Sequence, residues 1–199
     1  MNIYHIKRAE GPLTISSPDW KYANIAQVDC FPWDKDGYQP NTKARVMYSD
    51  EGLTVKMETD EKPLLSRFTE NNDPVYTDSC MEFFFKPNQG NPSYFNFEFN
   101  PNGTLLLGFG TGRGNTTRQN FDSSIFEIES IIDNIWQLKF FIPFSFVSKY
   151  IDGFSNKFSG NFYKCGDETV HPHWGCWNKI ETAEPDFHRP EFFGELIFD

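Results

Sequence analysis

The chain has 199 residues, with 28 acidic and 18 basic side chains and a formal net charge of −10. Such a surface repels phosphate backbones and anionic lipid headgroups, so nucleic acid and acidic membranes are poor partners, while a neutral polyol meets no such penalty. Aromatic residues make up 18% of the chain, 22 of them Phe, which favours pleated, half-buried strands over helices.

The chain opens with Met1–Arg8, too short and too polar for a secretory leader core, and it reads as a first strand. A cytoplasmic setting is therefore the expectation for the chain as given, and an extracellular one if a leader has been removed. Ala44–Tyr48 leads through Ser49-Asp50-Glu51-Gly52 into Leu53–Thr59, where Leu53, Val55 and Met57 alternate with Thr54, Lys56 and Glu58. This predicts a hairpin with one wet face. Residues 60–78 are polar, carry Pro63 and Pro74, and read as a long loop. Strands follow at Ser79–Lys86, Tyr94–Asn100 and Thr104–Phe109, the last two joined by a Pro101-Asn102-Gly103 turn. Phe126–Ile132 and Trp136–Pro143 form another pair around Asp133-Asn134. Phe144–Tyr150 is the one helical stretch, about two turns at most. Gly160–Cys165 and Glu195–Phe198 complete nine or ten short strands at the spacing of an antiparallel β-sandwich of jelly-roll or immunoglobulin type. No repeat, linker or low-complexity tract divides the chain, so one domain spanning residues 1–199 is expected, as a monomer or weak oligomer. No stretch has the apolar length of a membrane span.

The least ordinary segment is Asp167–Gly194, which gathers Trp174, Trp177, His171, His173, His188 and Arg189 among Gly and Pro residues. Indole rings exposed in a loop bind sugars: the C–H face of a pyranose stacks on the ring while carboxylates, amides and guanidinium groups meet the hydroxyls. Packing of both indoles as a roof over the sandwich explains the same residues. Glu82 lies among apolar strand residues and shares a face with Cys80 and Phe84. A carboxylate there requires partners, either hydroxyls of a ligand or a cation such as Arg113, Arg118 or Arg189. Asn96 and Glu98 share one face of the next strand and extend a polar floor or simply line a solvated face. Gly108–Gly114 lacks the third fingerprint glycine and a following helix, so it reads as a loop at a site rim, not a dinucleotide loop.

Cys165, His171, His173 and Cys176 offer zinc-ligating atoms, although their spacing matches no common zinc pattern. If Cys165 and Cys176 lie across adjacent strands, a disulfide is the alternative. Cys80 reads as a small buried apolar residue, and the low cysteine count fits a reducing compartment.

Three segments together resemble the family 9 carbohydrate-binding modules and their stand-alone relatives. Ala44–Val55 is similar to that family's "Thr-Ala-x-hydrophobic-x-Tyr-Asp-Asp-x-x-Leu-Tyr-Val" opening. Tyr76-Thr77-Asp78-Ser79-Cys80-Met81-Glu82-Phe83-Phe84, followed by Tyr94–Gly103, is similar to its "Trp-x-Asp-Asp-Ser-Val-Glu-Ile-Phe" strand and the strand and turn after it. Trp177-Asn178 with Pro185–Leu196 is similar to its closing "Trp … Pro-x-x-Phe-Gly-x-Leu" segment. The resemblance runs from about residue 14 to the C-terminus. It implies a β-sandwich of the kind appended to xylan-degrading enzymes, binding sugars or polysaccharide ends without catalysis. It further implies a sugar clamped between Tyr76 and Trp177, with Trp174 as substitute for the latter, and contacted by Glu82. Tyr at position 76 replaces the family's Trp, and Trp174 stands where a polar contact residue is expected. The resemblance also implies structural calcium, for which acidic loops such as Asp34-Lys35-Asp36 offer oxygens in no EF-hand spacing.

Two other classes fit some of the same residues. A glycoside hydrolase needs two carboxylates about 5–10 Å apart, and Glu82, Glu98 and Asp78 are candidates. A protein-interaction or haem-binding sandwich would use the exposed aromatics, with His171, His173 or His188 as axial ligand.

Overall fold

The computed structural model describes all residues 1–199. Thirteen strands occur in chain order: β1 (Ile3–Arg8), β2 (Ala26–Val28), β3 (Thr42–Tyr48), β4 (Gly52–Thr59), β5 (Cys80–Lys86), β6 (Tyr94–Phe99), β7 (Leu105–Gly110), β8 (Thr116–Arg118), β9 (Glu129–Ile132), β10 (Trp136–Pro143), β11 (Lys157–Cys165), β12 (Trp174–Cys176) and β13 (Gly194–Phe198). The only α-helix, α1 (Phe144–Val147), is a single turn after β10, and the remaining helical segments are short 3-10 turns.

The strands form one sheet folded back on itself, in the order β8-β7-β6-β5-β11-β13-β1-β3-β4-β10-β9. The hinge is β1. Ile3–Ile6 run parallel to Glu195–Phe198 of β13, and Lys7 and Arg8 run parallel to Met47 and Tyr48 of β3. One strand thus belongs to both wings of the sandwich, and all other pairings are antiparallel. The alternation of the sequence decides what lies between the wings. Met81, Phe83 and Phe85 of β5, Phe95, Phe97 and Phe99 of β6, and Leu105 and Leu107 of β7 face Val46, Val55, Met57, Leu138 and Phe140 across a core of 29 buried residues. Phe rings pack there in offset-stacked and edge-to-face pairs, such as Phe83 on Phe162 at 4.8 Å and Phe97 against Phe126 at 5.3 Å.

Three details depart from the sequence reading. The three-residue strands β2, β8 and β12 escape it, because a segment that short carries no readable period. The strand expected from Phe126 begins only at Glu129, since Ser123–Phe126 forms a 3-10 turn and Glu127 takes a left-handed conformation (φ 45°). The all-antiparallel expectation also fails at β1, whose parallel partners lie far away in sequence. The Pro101-Asn102-Gly103 turn forms as expected, with Gly103 at φ 74° and its N–H donating to the Asn100 carbonyl.

Candidate functional site

The outward-facing residues of the β8-β7-β6-β5-β11 wing are also largely buried, because loops from residues 60–78 and 166–193 roof them. Between roof and sheet is a cleft of about 420 Å³, within the range of small-molecule sites. Its floor comes from alternate residues of adjacent strands. Glu82 of β5 stands directly opposite Glu98 of β6, Phe84 opposite Asn96, and Asn96 opposite Gly108 of β7. Tyr76, Trp174, Asp167, Arg113 and His188 complete the walls and rim.

Gly108 is what allows the floor to be polar. A Cβ at this position would meet the Asn96 amide oxygen at 2.1 Å, so only glycine lets the amide lie across β7. The Asn96 Nδ2 donates to Glu98 Oε1 at 2.6 Å, while the buried Asn96 Oδ1 has no partner. Glu82 is 2% exposed and Glu98 4%. Burial, together with the facing Glu98 carboxyl, holds Glu82 well above the usual carboxylate range. Burial also raises Glu98 to about 7, against the opposing effect of the Asn96 amide. Of the two kinds of partner that the sequence allowed for Glu82, ligand hydroxyls or a cation, the cation is absent. Arg113 pairs with Asp186 at 2.9 Å, Arg118 donates to the Asn72 carbonyl, and Arg189 pairs with Glu191. Glu82 Oε1 instead accepts from the Cys165 thiol at 2.9 Å.

The loop carrying Tyr76 is held by Asp78. Its buried carboxylate accepts from the Arg67 backbone N–H and Nε, the Phe68 N–H and the Asn100 amide. That leaves Asp78 outside the cleft and unavailable as half of a hydrolytic carboxylate pair. Tyr76 follows in a 3-10 turn and is 37% exposed. On the opposite side of the chain, Trp174 lies across from Cys165 in β12, and its Nε1 donates to Asp167 Oδ1 at 2.7 Å. At the far wall the Tyr94 hydroxyl and His188 Nδ1 are 2.7 Å apart, and burial, reinforced by Arg113, lowers His188 to about 4.

The structure therefore brings Tyr76, Glu82, Trp174, Asn96, Glu98, Arg113 and His188 around one cleft. Trp177 is not among them. Alternation along β12 puts Trp174 and Cys176 on the outer face, so Trp177 turns inward. It is 7% exposed, packed edge-on against Tyr4 and Phe162, with its ring over Gly194. The ring expected from position 177 is core, and the indole in the cleft is that of Trp174. Sequence reasoning missed Asp167, Asp186 and Cys165 as cleft residues, and named Arg118 only as a candidate cation partner of Glu82. Of the three missed, Cys165 carried a signal, since it ends a strand in which Asn161, Tyr163 and Cys165 share one face, the face that the register sets beside Glu82.

The proposed zinc set does not assemble. Cys165 lies with Glu82 in the cleft floor and Cys176 against Cys30. His173 is buried beside Lys164 Nζ at 3.0 Å, and His171 stacks on Tyr38. All four cysteines are thiols, and Cys165 pairs in register with Cys80, not with Cys176. For calcium, Asp34 spends its carboxylate on the Asp36 and Gly37 N–H groups and Gln39 Nε2, and no three metal-binding side chains converge in that loop. His171 and His173 meet at the Tyr38 ring outside the cleft, and His188 alone of the three lines the cleft.

Carbohydrate-binding family 9 matches residues 18–198. Among solved structures, the chain is similar to a candidate carbohydrate-binding protein from Bacteroides uniformis ATCC 8492, with 26% identity, 99% of each chain covered and a TM-score of 0.89. It also shares its fold with a family 9 carbohydrate-binding module from Caldicellulosiruptor kristjanssonii solved with cellotriose, at 13% identity, a TM-score of 0.68 and coverage of 99% of this chain and 93% of that one. The same organism's family 9 module solved with glucose gives 13% identity, a TM-score of 0.69 and coverage of 100% and 96%. No curated protein matches the chain. With the family match extending over nearly the whole sequence, the chain belongs to carbohydrate-binding family 9.

Proposed function

We propose that the cleft binds a neutral saccharide, or the end of a polysaccharide chain, without cleaving it. The observation that carries this reading is one cleft combining two accessible aromatic rings, Tyr76 and Trp174, with a buried floor of acceptors. Asn96 Oδ1 is buried without a partner, and a sugar hydroxyl donating to it removes that cost. In this reading the rings take the C–H face of a pyranose, while Glu82, Asn96 and Glu98 meet its hydroxyls and Arg113 and His188 border the rim. Acidic groups outnumber free cations around the cleft, which favours neutral sugars over uronic acids. The structures of family 9 modules with cellotriose and glucose support this class of ligand.

Absence of catalysis is part of the proposal. Residues directly opposite on antiparallel strands have Cβ atoms about 4.5–5.5 Å apart and point the same way. Glu82 and Glu98 therefore stand side by side beneath a ligand, whereas a glycosidase places its carboxylates on either side of the scissile bond.

The test is intrinsic fluorescence during titration with glucose, xylose, cellobiose and xylo-oligosaccharides, on the unaltered chain and on Trp174→Ala. A saturable change that disappears in Trp174→Ala is expected. No change with any of these saccharides, or a change that persists in Trp174→Ala, overturns the reading. Release of reducing ends from xylan or cellulose would overturn its non-catalytic part.

A further inference from the structure

In the floor of the cleft is a cluster of which the saccharide reading uses only Glu82. Cys80 and Cys165 are direct partners across β5 and β11, and Glu82 follows Cys80 by two residues on the same face. The two Sγ atoms and a Glu82 carboxylate oxygen all lie within 4.8 Å of one another, with Cys165 Sγ 2.9 Å from Glu82 Oε1. All three side chains are buried. We propose that Cys80, Cys165 and Glu82 form a binding site for one thiophilic divalent cation of the Zn2+ class, with its fourth coordination position open to the cleft.

The donor set is chemically suited to such an ion. Two thiolates and one carboxylate, with a fourth position for water or a ligand oxygen, match the three-protein-ligand pattern of open zinc sites. Tetrahedral zinc with bonds of about 2.3 Å to sulfur separates its two sulfur donors by about 3.8 Å, a spacing the cluster can reach by small side-chain rotations. The electrostatics agree. No Lys or Arg pairs with Glu82, for the nearby cations are committed elsewhere: Arg113 to Asp186, and Lys164 to Glu61 at 2.6 Å. Two thiols and a carboxyl give up their protons to a dication, so its binding releases protons and strengthens as pH rises. Glu82 and Cys165 line the cleft while Cys80 sits behind them, which sets the direction of the open position. The chain's other thiol pair, Cys30 and Cys176, faces across an isolated bridge and has no third donor.

The site does not depend on the saccharide reading and is tested without any sugar. Co2+ is titrated into reduced, chelator-treated protein carrying Cys30→Ser and Cys176→Ser, so that only one thiol pair remains. One Co2+ per chain is expected, with thiolate-to-cobalt charge transfer and tetrahedral d–d bands, both removed by Zn2+. Cys165→Ser abolishes the charge-transfer band of the second thiolate, and Glu82→Gln weakens Zn2+ binding at least about tenfold. Because serine variants can lose folding, a second measurement uses the unaltered chain: Zn2+ protects Cys80 and Cys165 from alkylation under partly denaturing conditions. The proposal is overturned by absence of charge transfer in the reduced protein, by an unchanged band in Cys165→Ser, or by absence of protection. It is equally overturned if Cys80 and Cys165 are found joined, as an intact mass lower by two hydrogens that reductant restores. A failed sugar titration with an intact cobalt spectrum would remove the saccharide reading alone.

Discussion

Strands β5, β6 and β7 present two faces built by the same alternation and put to opposite uses. Inward, Phe83, Phe85, Phe95, Phe97 and Phe99 meet a second layer of sheet, and the interface is sealed with apolar rings. Outward, Glu82, Asn96 and Glu98 are nearly as inaccessible, yet they are covered by loops that leave a cleft. Burial alone therefore does not distinguish core from site in this protein. The distinguishing feature is what covers each face: a regular sheet fills space at close-packed density, while irregular loops pinned at a few points such as Asp78 leave room for a ligand.

Perturbing the two faces should separate them. The largest effects belong inside. Phe97→Ala and Trp177→Ala should each lower unfolding free energy by about 3–5 kcal/mol, read by denaturant titration. A saccharide titration that fails in Trp177→Ala while its stability stays intact would reverse the assignment of that indole to the core. Acid comes next. Burial, with Lys164 beside it, lowers His173 to about 3, and burial lowers His188 to about 4. The unfolded chain takes up these protons as pH falls through about 6.5, well before the folded chain does. The histidine contribution is then complete above about pH 6.5 and is lost below it, by a few kcal/mol by pH 4. The raised carboxyls of Glu82 and Glu98 act in the opposite sense, their contribution growing as pH falls through about 7, so comparison with a histidine variant isolates the histidine part. His173→Gln should flatten that slope, with Lys164, Glu61 and His171 as the charged or titratable groups around it.

Smaller effects belong to the outer face. Gly108→Ala should cost about 1–3 kcal/mol by forcing the Asn96 amide away from β7, and saccharide binding should weaken more than stability does. Trp174→Ala should change stability least, by about 1 kcal/mol or less, while abolishing the fluorescence response to sugar. If Trp174→Ala proved as destabilising as Trp177→Ala, the contrast between the two indoles would collapse.

Much of the sandwich was legible because period-2 alternation is a local property. Leu53–Met57 and Tyr94–Phe99 announce their faces without any partner in view. The three-residue strands β2, β8 and β12 were not legible because segments that short carry no period, and the split pairing of β1 was not because both its partner strands lie far away in sequence. In the site, Glu82, Asn96 and Glu98 could be placed on one face from parity alone. The second aromatic ring could not, because the segment around Trp174 and Trp177 has no period long enough to show which indole points out. The cluster of Cys80, Cys165 and Glu82 was equally hidden, since its members are 85 residues apart at the widest and meet only through the β5–β11 register.

By itself the sequence determined the strand-rich class, the acidic surface, the residues that must face inward, and motifs whose order pointed to carbohydrate-binding family 9. Only the tertiary structure decided which tryptophan lines the cleft, that Glu82 has no cation beside it, and that the four cysteines meet as Cys80 with Cys165 and Cys30 with Cys176. Side-chain alternation depends on each residue's own backbone, and so can be read along the chain. Strand register and loop cover depend on contacts between segments far apart in sequence, and exist only once the chain has folded.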